Sequence, residues 1–538
     1  MHFDPVNSDR SMLATLLAAT TLASSPSTPP ATGNVMVIVL DDVGCDLVGA
    51  YENHYASLGK PPGSPAATPA IDQLLAARGI MFTNAWSAPM CTPSRSRILT
   101  GRYGFRTGIG TVTKEGDLGH LRNPGLQEDI TLLPQLLHLA PTPYMCVALG
   151  KWHLADKGQT VTDLRHPLGN PIGTWFDRYA GALFNLSQPV GGGVLNVYSS
   201  WEKTYASYID IGVNPCGPGV PPCNVPMITP PNLRYASVDT ADDAIRMVQT
   251  LPEPWFLYVS FNGVHLPEHV VPTGLPRDSC GNYSGPTVPC NPGANPTVPD
   301  LVRCTLAEVD AQVGRILCQV NEANTTVMLW GDNGTVPDAV LPPNNPVHGK
   351  GTVYEDGVHV PFIVRSPYQA ASTVGSINDR LVVSTDTFAT VAELAGVPAS
   401  LMTAEDSISL VPYINGNTAP LRRTIFAEGF SPNFVPDPVT GWTPPNYVSS
   451  RHNQALRERR YKLIRRYQRA HSGNAITVNE EFYDLLGGGP PDVVTGAPTR
   501  DWFETNNLLA QPQLDHRAAR ILQLLRGQLD AHYPSVVE

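Results

Sequence analysis

Val35-Met36-Val37-Ile38-Val39-Leu40 is an uninterrupted apolar run that ends at the paired carboxylates Asp41-Asp42. Such a run suits a strand buried on both faces, the kind found in the middle of a parallel sheet. In an open sheet of that type the ligand crevice lies beyond the carboxyl ends of the strands. Two adjacent carboxylates there read as hard-cation ligands or as a polar turn. Three more apolar runs repeat the arrangement. Residues 144–149 lead to Gly150-Lys151-Trp152-His153, residues 255–261 to Asn262-Gly263-Val264-His265, and residues 325–330 to Gly331-Asp332-Asn333-Gly334. Helical patterns cover 68–77, 131–140, 238–251 and 301–322, with further short strands over 81–85 and 361–365. Strand, polar cluster and helix in repetition, joined by right-handed crossovers, predict a parallel sheet with helices on both faces. One edge of that sheet then collects Asp41, Asp42, Lys151, His153, His265, Asp332 and Asn333. Singly these residues have ordinary structural explanations, but four strand ends sharing them are hard to assign to chance.

The strand at 81–85 feeds Met90-Cys91-Thr92-Pro93-Ser94-Arg95-Ser96-Arg97-Ile98-Leu99-Thr100-Gly101-Arg102. Thr92 as N-cap, Pro93 at the first helical position and Gly101 as the stop frame a short helix, with Cys91 just ahead of its positive end. Unpaired N–H groups there favour an anion and lower a thiol's pKa. Arg95, one turn in, adds a guanidinium fork suited to a tetrahedral oxyanion. On these grounds Cys91 is either an anion-handling nucleophile or a buried thiol in a capping turn.

The chain has 538 residues, which implies one large and one smaller domain. Hydrophobic content of 42% with 15% charged residues indicates a sizeable core, and 53 prolines and 46 glycines indicate long, shaped loops. A net charge of −11 argues against nucleic acid or an anionic membrane as partner. Seven lysines against twenty-nine arginines make each lysine a mild anomaly. Residues 1–33 read as an N-terminal tail or degenerate signal with a linker, and their apolar run is too short to span a bilayer. Residues 34–420 read as the catalytic domain. Near Leu421 the texture changes to short alternating segments and a final helix with one apolar face, so 421–538 reads as an antiparallel α+β subdomain. Between 155 and 235 no period is legible, and Trp175, Tyr179, Phe184, Tyr198, Trp201 and Tyr205 suggest a substrate-pocket wall.

Nine cysteines are present. Cys45 and Cys146, in or beside buried strands, read as free. Cys216 with Cys223 and Cys280 with Cys290 are expected as local disulfides. Cys304 and Cys318 lie about 21 Å apart along one helix and cannot pair with each other. This distribution favours an oxidising compartment, periplasmic or extracellular, with the cytoplasm as the alternative if the N-terminal run is not a signal.

Cys91-Thr92-Pro93-Ser94-Arg95, followed by Leu99-Thr100-Gly101-Arg102, resembles the C-x-P-x-R signature of the type I sulfatases. Asp41-Asp42, Gly150-Lys151-Trp152-His153, His265, Gly331-Asp332-Asn333-Gly334 and Lys350 match further motifs of that family in order, over roughly Val35 to Ser366 with fainter echoes to Leu509. The resemblance implies a mixed, mostly parallel sheet between helices, similar to alkaline phosphatase, and a divalent cation. Asp41, Asp42, Asp332, Asn333 and the modified Cys91 would be its ligands. It also implies that a formylglycine-generating activity oxidises Cys91 to an aldehyde whose hydrate is the nucleophile. Arg95, Lys151 and Lys350 would then neutralise sulfate charge, and His153 would serve as the base that lets the covalent sulfate collapse. His265 and Lys350 would contact the sulfate and leaving oxygen, with the general acid open between them. A hard, all-oxygen ligand set favours Ca²⁺, with Mg²⁺ second. One departure is Glu355-Asp356-Gly357, where relatives commonly carry Glu-Gly-Gly; Asp356 and His359 are expected at the pocket rim. The implied reaction is hydrolysis of an aryl or carbohydrate sulfate monoester. Phosphodiester or phosphonate monoester hydrolysis at the same site is the alternative, and a catalytically silent protein that binds sulfated ligands a second one.

Overall fold

The run at 35–40 becomes β1 (Asn34–Leu40), every residue of which is buried. In this computed structural model residues 33–537 are described, except 114–123, 128, 156–174, 187–196, 207–226, 229–231, 278–279, 281–289, 437–448, 471–474 and 490–498. The other strands of the main sheet are β2 (Ile80–Trp86), β3 (Met145–Lys151), β4 (Arg178–Ala182), β5 (Thr204–Ala206), β6 (Met227–Ile228), β7 (Trp255–Ser260), β8 (Thr325–Gly331), β9 (Phe362–Arg365) and β10 (Ser376–Val383). Their order is β10-β2-β9-β8-β1-β7-β3-β4-β5-β6. β8, β1, β7, β3 and β4 run parallel to one another, while β9 runs against β8 and β2. The sheet is therefore mixed and mostly parallel, as expected.

β1 divides its side chains between two cores. Val35, Val37 and Val39 face one, with the helices Cys91–Thr100, Leu133–His138 and Asp386–Leu394; Met36, Ile38 and Leu40 face the other, with Gly49–Ser57, Ala236–Thr250 and Val298–Leu317. Both faces of the strand are covered, which is why no polar residue interrupts it.

A second sheet contains β11 (Ile425–Ser431), β12 (Arg451–Arg457), β13 (Tyr461–Arg469) and β14 (Ile476–Asp484), antiparallel and in that order. The helix His516–His532 lays Ala518, Leu522, Leu525 and Leu529 on one face, against Leu456, Leu463 and Phe482. The other face packs Ala427, Ala455 and Ile464 on Trp86, Val358 and Val383 of the main sheet's side.

Three expectations are corrected. The helix at Cys91 starts at Cys91 itself, with extended Met90 as N-cap, so Thr92 and Pro93 sit in its first turn; Gly101 ends it at φ 66° as read. Proline is tolerated there because first-turn N–H groups have no intrahelical acceptor. The described aromatics between 155 and 235 pack as core residues and not as an open pocket wall. Trp175, Tyr179, Tyr198 and Trp201 are buried in the cores, and Phe184 and Tyr205 pack against them, because this stretch supplies β4, β5 and the sheet's far edge. The disulfides are Cys280–Cys318 and Cys290–Cys304, with Cα separations of 5.4 and 5.1 Å, and not Cys280–Cys290. The helix Val298–Leu317 holds Cys304, and Cys318 directly follows it, so Cys290 and Cys280 each take one of them. Cys216 and Cys223 lie outside the described residues. Among the described residues no helix is long and apolar enough to cross a membrane.

Candidate active site

β8, β1, β7 and β3 are consecutive in the sheet, so their carboxyl ends bring Asp332-Asn333, Asp41-Asp42, His265 and Lys151 side by side. The chain leaving β2 delivers Cys91 to the same edge. Asp42 and His153 adopt left-handed φ values of 60° and 55°, unfavourable for residues with a Cβ and held by the surrounding packing. Ligand-type atoms of Asp41, Asp42, Cys91 and Asp332, all buried, lie within 4.8 Å of one another. Every site residue expected from the sequence falls at this edge.

The contacts form a charge-balanced cluster. Arg95 donates through Nη2 to Asp332 Oδ2 at 2.9 Å and through Nη1 to the Lys151 carbonyl at 3.0 Å, and Nη2 lies 3.6 Å from Asp41 Oδ1. Lys151 Nζ donates to Asp41 Oδ2, and Lys350 Nζ pairs with Asp42 Oδ1, each at 2.5 Å. Asn333 Nδ2 donates to Asp42 Oδ1 at 2.8 Å. The Cys91 Sγ sits 3.8 Å from that same oxygen. Burial pushes the Asp41 carboxyl up, but Lys151, His265, Arg95 and Lys350 outweigh it and hold it well below the usual range. Asp332 is instead pushed up to about 7, by burial and by Asp41 beside it.

Three buried oxygens of this cluster accept no hydrogen bond from the described residues: Asp41 Oδ1, Asp42 Oδ2 and Asn333 Oδ1. An uncompensated buried acceptor costs about 1–3 kcal/mol. Three such acceptors in one cluster, all from carboxylate or amide groups, fit a hard divalent cation, and nothing in the three favours a soft one.

The histidines are kept neutral. Burial drives His153 well below its ordinary value, and Lys151 and Arg95 drive it further. Its Nε2 lies 3.3 Å from the Thr113 carbonyl, while Nδ1 is buried without a partner. His265 is pushed down to about 4 by burial and Lys151, against the pull of Asp41 and Asp42. Its Nδ1 engages the Leu266 carbonyl at 2.8 Å, and the Tyr198 hydroxyl donates to the carbonyls of Asn262 and His265, fixing the loop after β7. A neutral imidazole at neutral pH can accept a proton, as a base must.

The expectation of a lowered Cys91 thiol is corrected: burial pushes it up, and Lys151 and Lys350, which pull it down, do not outweigh this. A thiol that keeps its proton is a poor nucleophile. Asp356 and His359 do not border the Cys91 site. They line a separate cavity of about 280 Å³ with Asp46, Tyr55, Arg457 and Trp502. Their neighbour Glu355 is drawn into the boundary between the two sheets, accepting from Trp86 Nε1 (3.2 Å), Arg457 Nη1 (2.8 Å) and Lys462 Nζ (3.2 Å). Sequence reading missed Ser260, whose hydroxyl accepts from Arg95 Nη1, and Asn262, whose buried side-chain amide has no partner. The available signal was a small polar residue closing an otherwise apolar strand.

A fold of the alkaline-phosphatase type, with a cation-ready acidic cluster, a buried cysteine at a helix start and two lysines, defines a hydrolase of anionic esters. The sulfatase family model matches residues 33–397, so the chain belongs to the sulfatase family, of type I, and is a sulfuric ester hydrolase. Human N-acetylgalactosamine-6-sulfatase is 29% identical over 415 residues, 73% of this chain and 67% of that one. Human arylsulfatase A is 27% identical over 558 residues, 97% of this chain and 92% of that one. Among solved structures, the PsFucS1 sulfatase from Pseudoalteromonas sp. shares the fold with a TM-score of 0.59 at 20% identity, covering 94% of this chain and 92% of that one.

Proposed function

We propose that the enzyme hydrolyses sulfate monoesters of saccharide or aryl alcohols, with Cys91 acting as formylglycine and with one bound Ca²⁺. The observation that carries this reading is the trio of buried oxygens on Asp41, Asp42 and Asn333 that accept no hydrogen bond from the described residues, in a cluster with Arg95, Lys151, Lys350 and Cys91. A cation held by Asp41, Asp42, Asp332 and Asn333 would supply Lewis-acid polarisation of the ester and charge neutralisation. The aldehyde hydrate would offer one hydroxyl to attack sulfur and a second whose deprotonation releases sulfate. The chain's own residues do the rest. Arg95 orients Asp332 and Asp41, and Lys151 and Lys350 screen the sulfate oxygens in a dry pocket. His153, neutral and unpartnered at Nδ1, takes the hydroxyl proton. His265 and Lys350 would contact the sulfate and the leaving oxygen.

One sulfate monoester charge suits this set of cations; a phosphodiester also carries one, so charge alone does not separate the two. Parallel kcat/KM values for an aryl sulfate, a sulfated monosaccharide, a phosphodiester and a phosphonate monoester separate them. The sulfates are expected to lead; either phosphorus ester well ahead overturns the reading, and no turnover of any favours a silent binding protein. Metal analysis is expected to give stoichiometric calcium in the catalytic cluster, and zinc at that cluster with calcium-insensitive turnover contradicts it. The two disulfides support an oxidising compartment, periplasmic or extracellular. Thiol counting on denatured protein from its native source, finding every cysteine reduced, would place the enzyme in the cytoplasm.

A further inference from the structure

The opposite end of β3 gathers a second set of ligand-type side chains. Cys146 lies five residues before Lys151, so this end stands about 16 Å from the catalytic edge. There His138, Cys146 and Asp177 each bring one ligand atom within 4.8 Å of the others. They come from three separate elements. His138 is the last residue of the helix Leu133–His138, Cys146 is in β3, and Asp177 immediately precedes β4. Asp177 is fixed by the strand itself: its N–H donates to the Cys146 carbonyl at 2.8 Å, and its Oδ2 accepts from the Cys146 N–H at 2.7 Å. His138 Nε2 lies 3.1 Å from the same Oδ2.

We propose that His138 Nε2, Cys146 Sγ and an Asp177 carboxylate oxygen form a structural zinc site, with water in the fourth position. The donor set decides the ion: imidazole, thiolate and carboxylate together suit Zn²⁺ and disfavour Ca²⁺ and Mg²⁺. Tetrahedral bonds of about 2.0–2.1 Å to nitrogen and oxygen put those two atoms about 3.3 Å apart, close to the separation present between His138 and Asp177. Among the described residues the thiol's hydrogen-bond partner is the Tyr144 carbonyl at 3.8 Å. The side chains of His138 and Asp177 are 26% and 31% exposed, which gives an ion a path in and room for a water. On binding, the Cys146 S–H bond breaks, the sulfur lone pair bonds the ion and the proton leaves to solvent; no electron is transferred. The His138 ring takes the tautomer with its proton on Nδ1. Such an ion staples the helix to the starts of β3 and β4 and acts on stability, with turnover left to the other edge.

Cobalt(II) as a spectroscopic probe tests this. Enzyme stripped by chelator and reloaded with calcium is titrated with Co²⁺. A near-ultraviolet thiolate-to-cobalt band saturating at one equivalent is expected, lost in Cys146→Ser and kept in Cys91→Ser. His138→Ala, at a half-exposed position that folding tolerates, is expected to weaken Co²⁺ binding at least tenfold. Zn²⁺ should displace the cobalt and raise the melting temperature of the parent but not of Cys146→Ser. No band, or a band that survives Cys146→Ser, or unchanged affinity in His138→Ala, overturns the site and leaves a hydrogen-bonded clasp between Asp177 and β3.

Discussion

Lys151 and Lys350 are two of only seven lysines in a chain that otherwise relies on arginine. Lys151 is fully buried against Asp41, and Lys350 nearly so against Asp42. A compact ammonium makes a point contact there, whereas a planar fork of five donors would have to be placed differently. Lys151→Arg and Lys350→Arg should each lower kcat/KM about 100-fold or more although charge is kept, on the scale of losing one preorganised electrostatic contact. Steady-state kinetics on a sulfate ester check this, and near-normal values in both variants would remove the lysines from the chemistry. His359 makes a different prediction. Burial, with Arg457 adding to it against the pull of Glu355, puts this ring at about 4, below its unfolded value of about 6.5. Protonation therefore favours the unfolded chain. The stability His359 confers is full above about pH 6.5 and drains away as the pH falls toward 4, by up to about 3 kcal/mol. In His359→Gln, where an amide can still meet Tyr55 and the Thr83 carbonyl, urea midpoints should fall less between pH 7.5 and 4.5 than in the parent. An identical loss in both proteins would contradict the assignment.

The helix Cys91–Thr100 must stop where it does, because its carboxyl end runs into the helix Asp386–Leu394. Gly101 sits at φ 66°, and a Cβ there would lie 2.8 Å from that of Phe388 and 2.7 Å from that of Ala404. Left-handed backbone costs an L-residue roughly 1–2 kcal/mol, and overpacking typically 1–3 more. Gly101→Ala should lower the melting temperature by several degrees, and unchanged melting would show that the neighbours move aside freely. This stop was legible, since glycine after a periodic segment has one common meaning. The parallel strands were equally legible from their unbroken apolar runs at 35–40, 255–261 and 325–330, and so were the site residues at their ends. What was not legible depended on partners distant in sequence. The start of the helix at Cys91 is set by Met90, whose extended conformation no local preference demands. Cys280 and Cys290 pair across to a helix end and its body, which spacing alone does not disclose. The aromatics of 155–235 carry no period because β4 and β5 are short, so the burial of the described ones was hidden. Asp356 was misplaced because the turn around Glu355 is decided by Arg457 and Lys462, about a hundred residues away.

At the scale of the whole molecule, the smaller sheet braces the catalytic edge. Lys462 stacks 4.7 Å from the Trp86 ring and pairs with Glu355 and Glu504, so one buried network touches both the chain leading to Cys91 and the loop following Lys350. The cations of the site draw in an anionic ester against a net charge of −11, so recognition is local and short-ranged. Burial pushes the Cys91 thiol up, which disfavours the thiolate as nucleophile and favours the proposed aldehyde. Mass spectrometry of the Cys91 peptide, from protein that turns over a sulfate ester and comes from its native source or a host with the formylglycine-generating activity, tests this directly. An aldehyde in place of the thiol, in proportion to specific activity, is the predicted result; a fully intact thiol in active enzyme would contradict it.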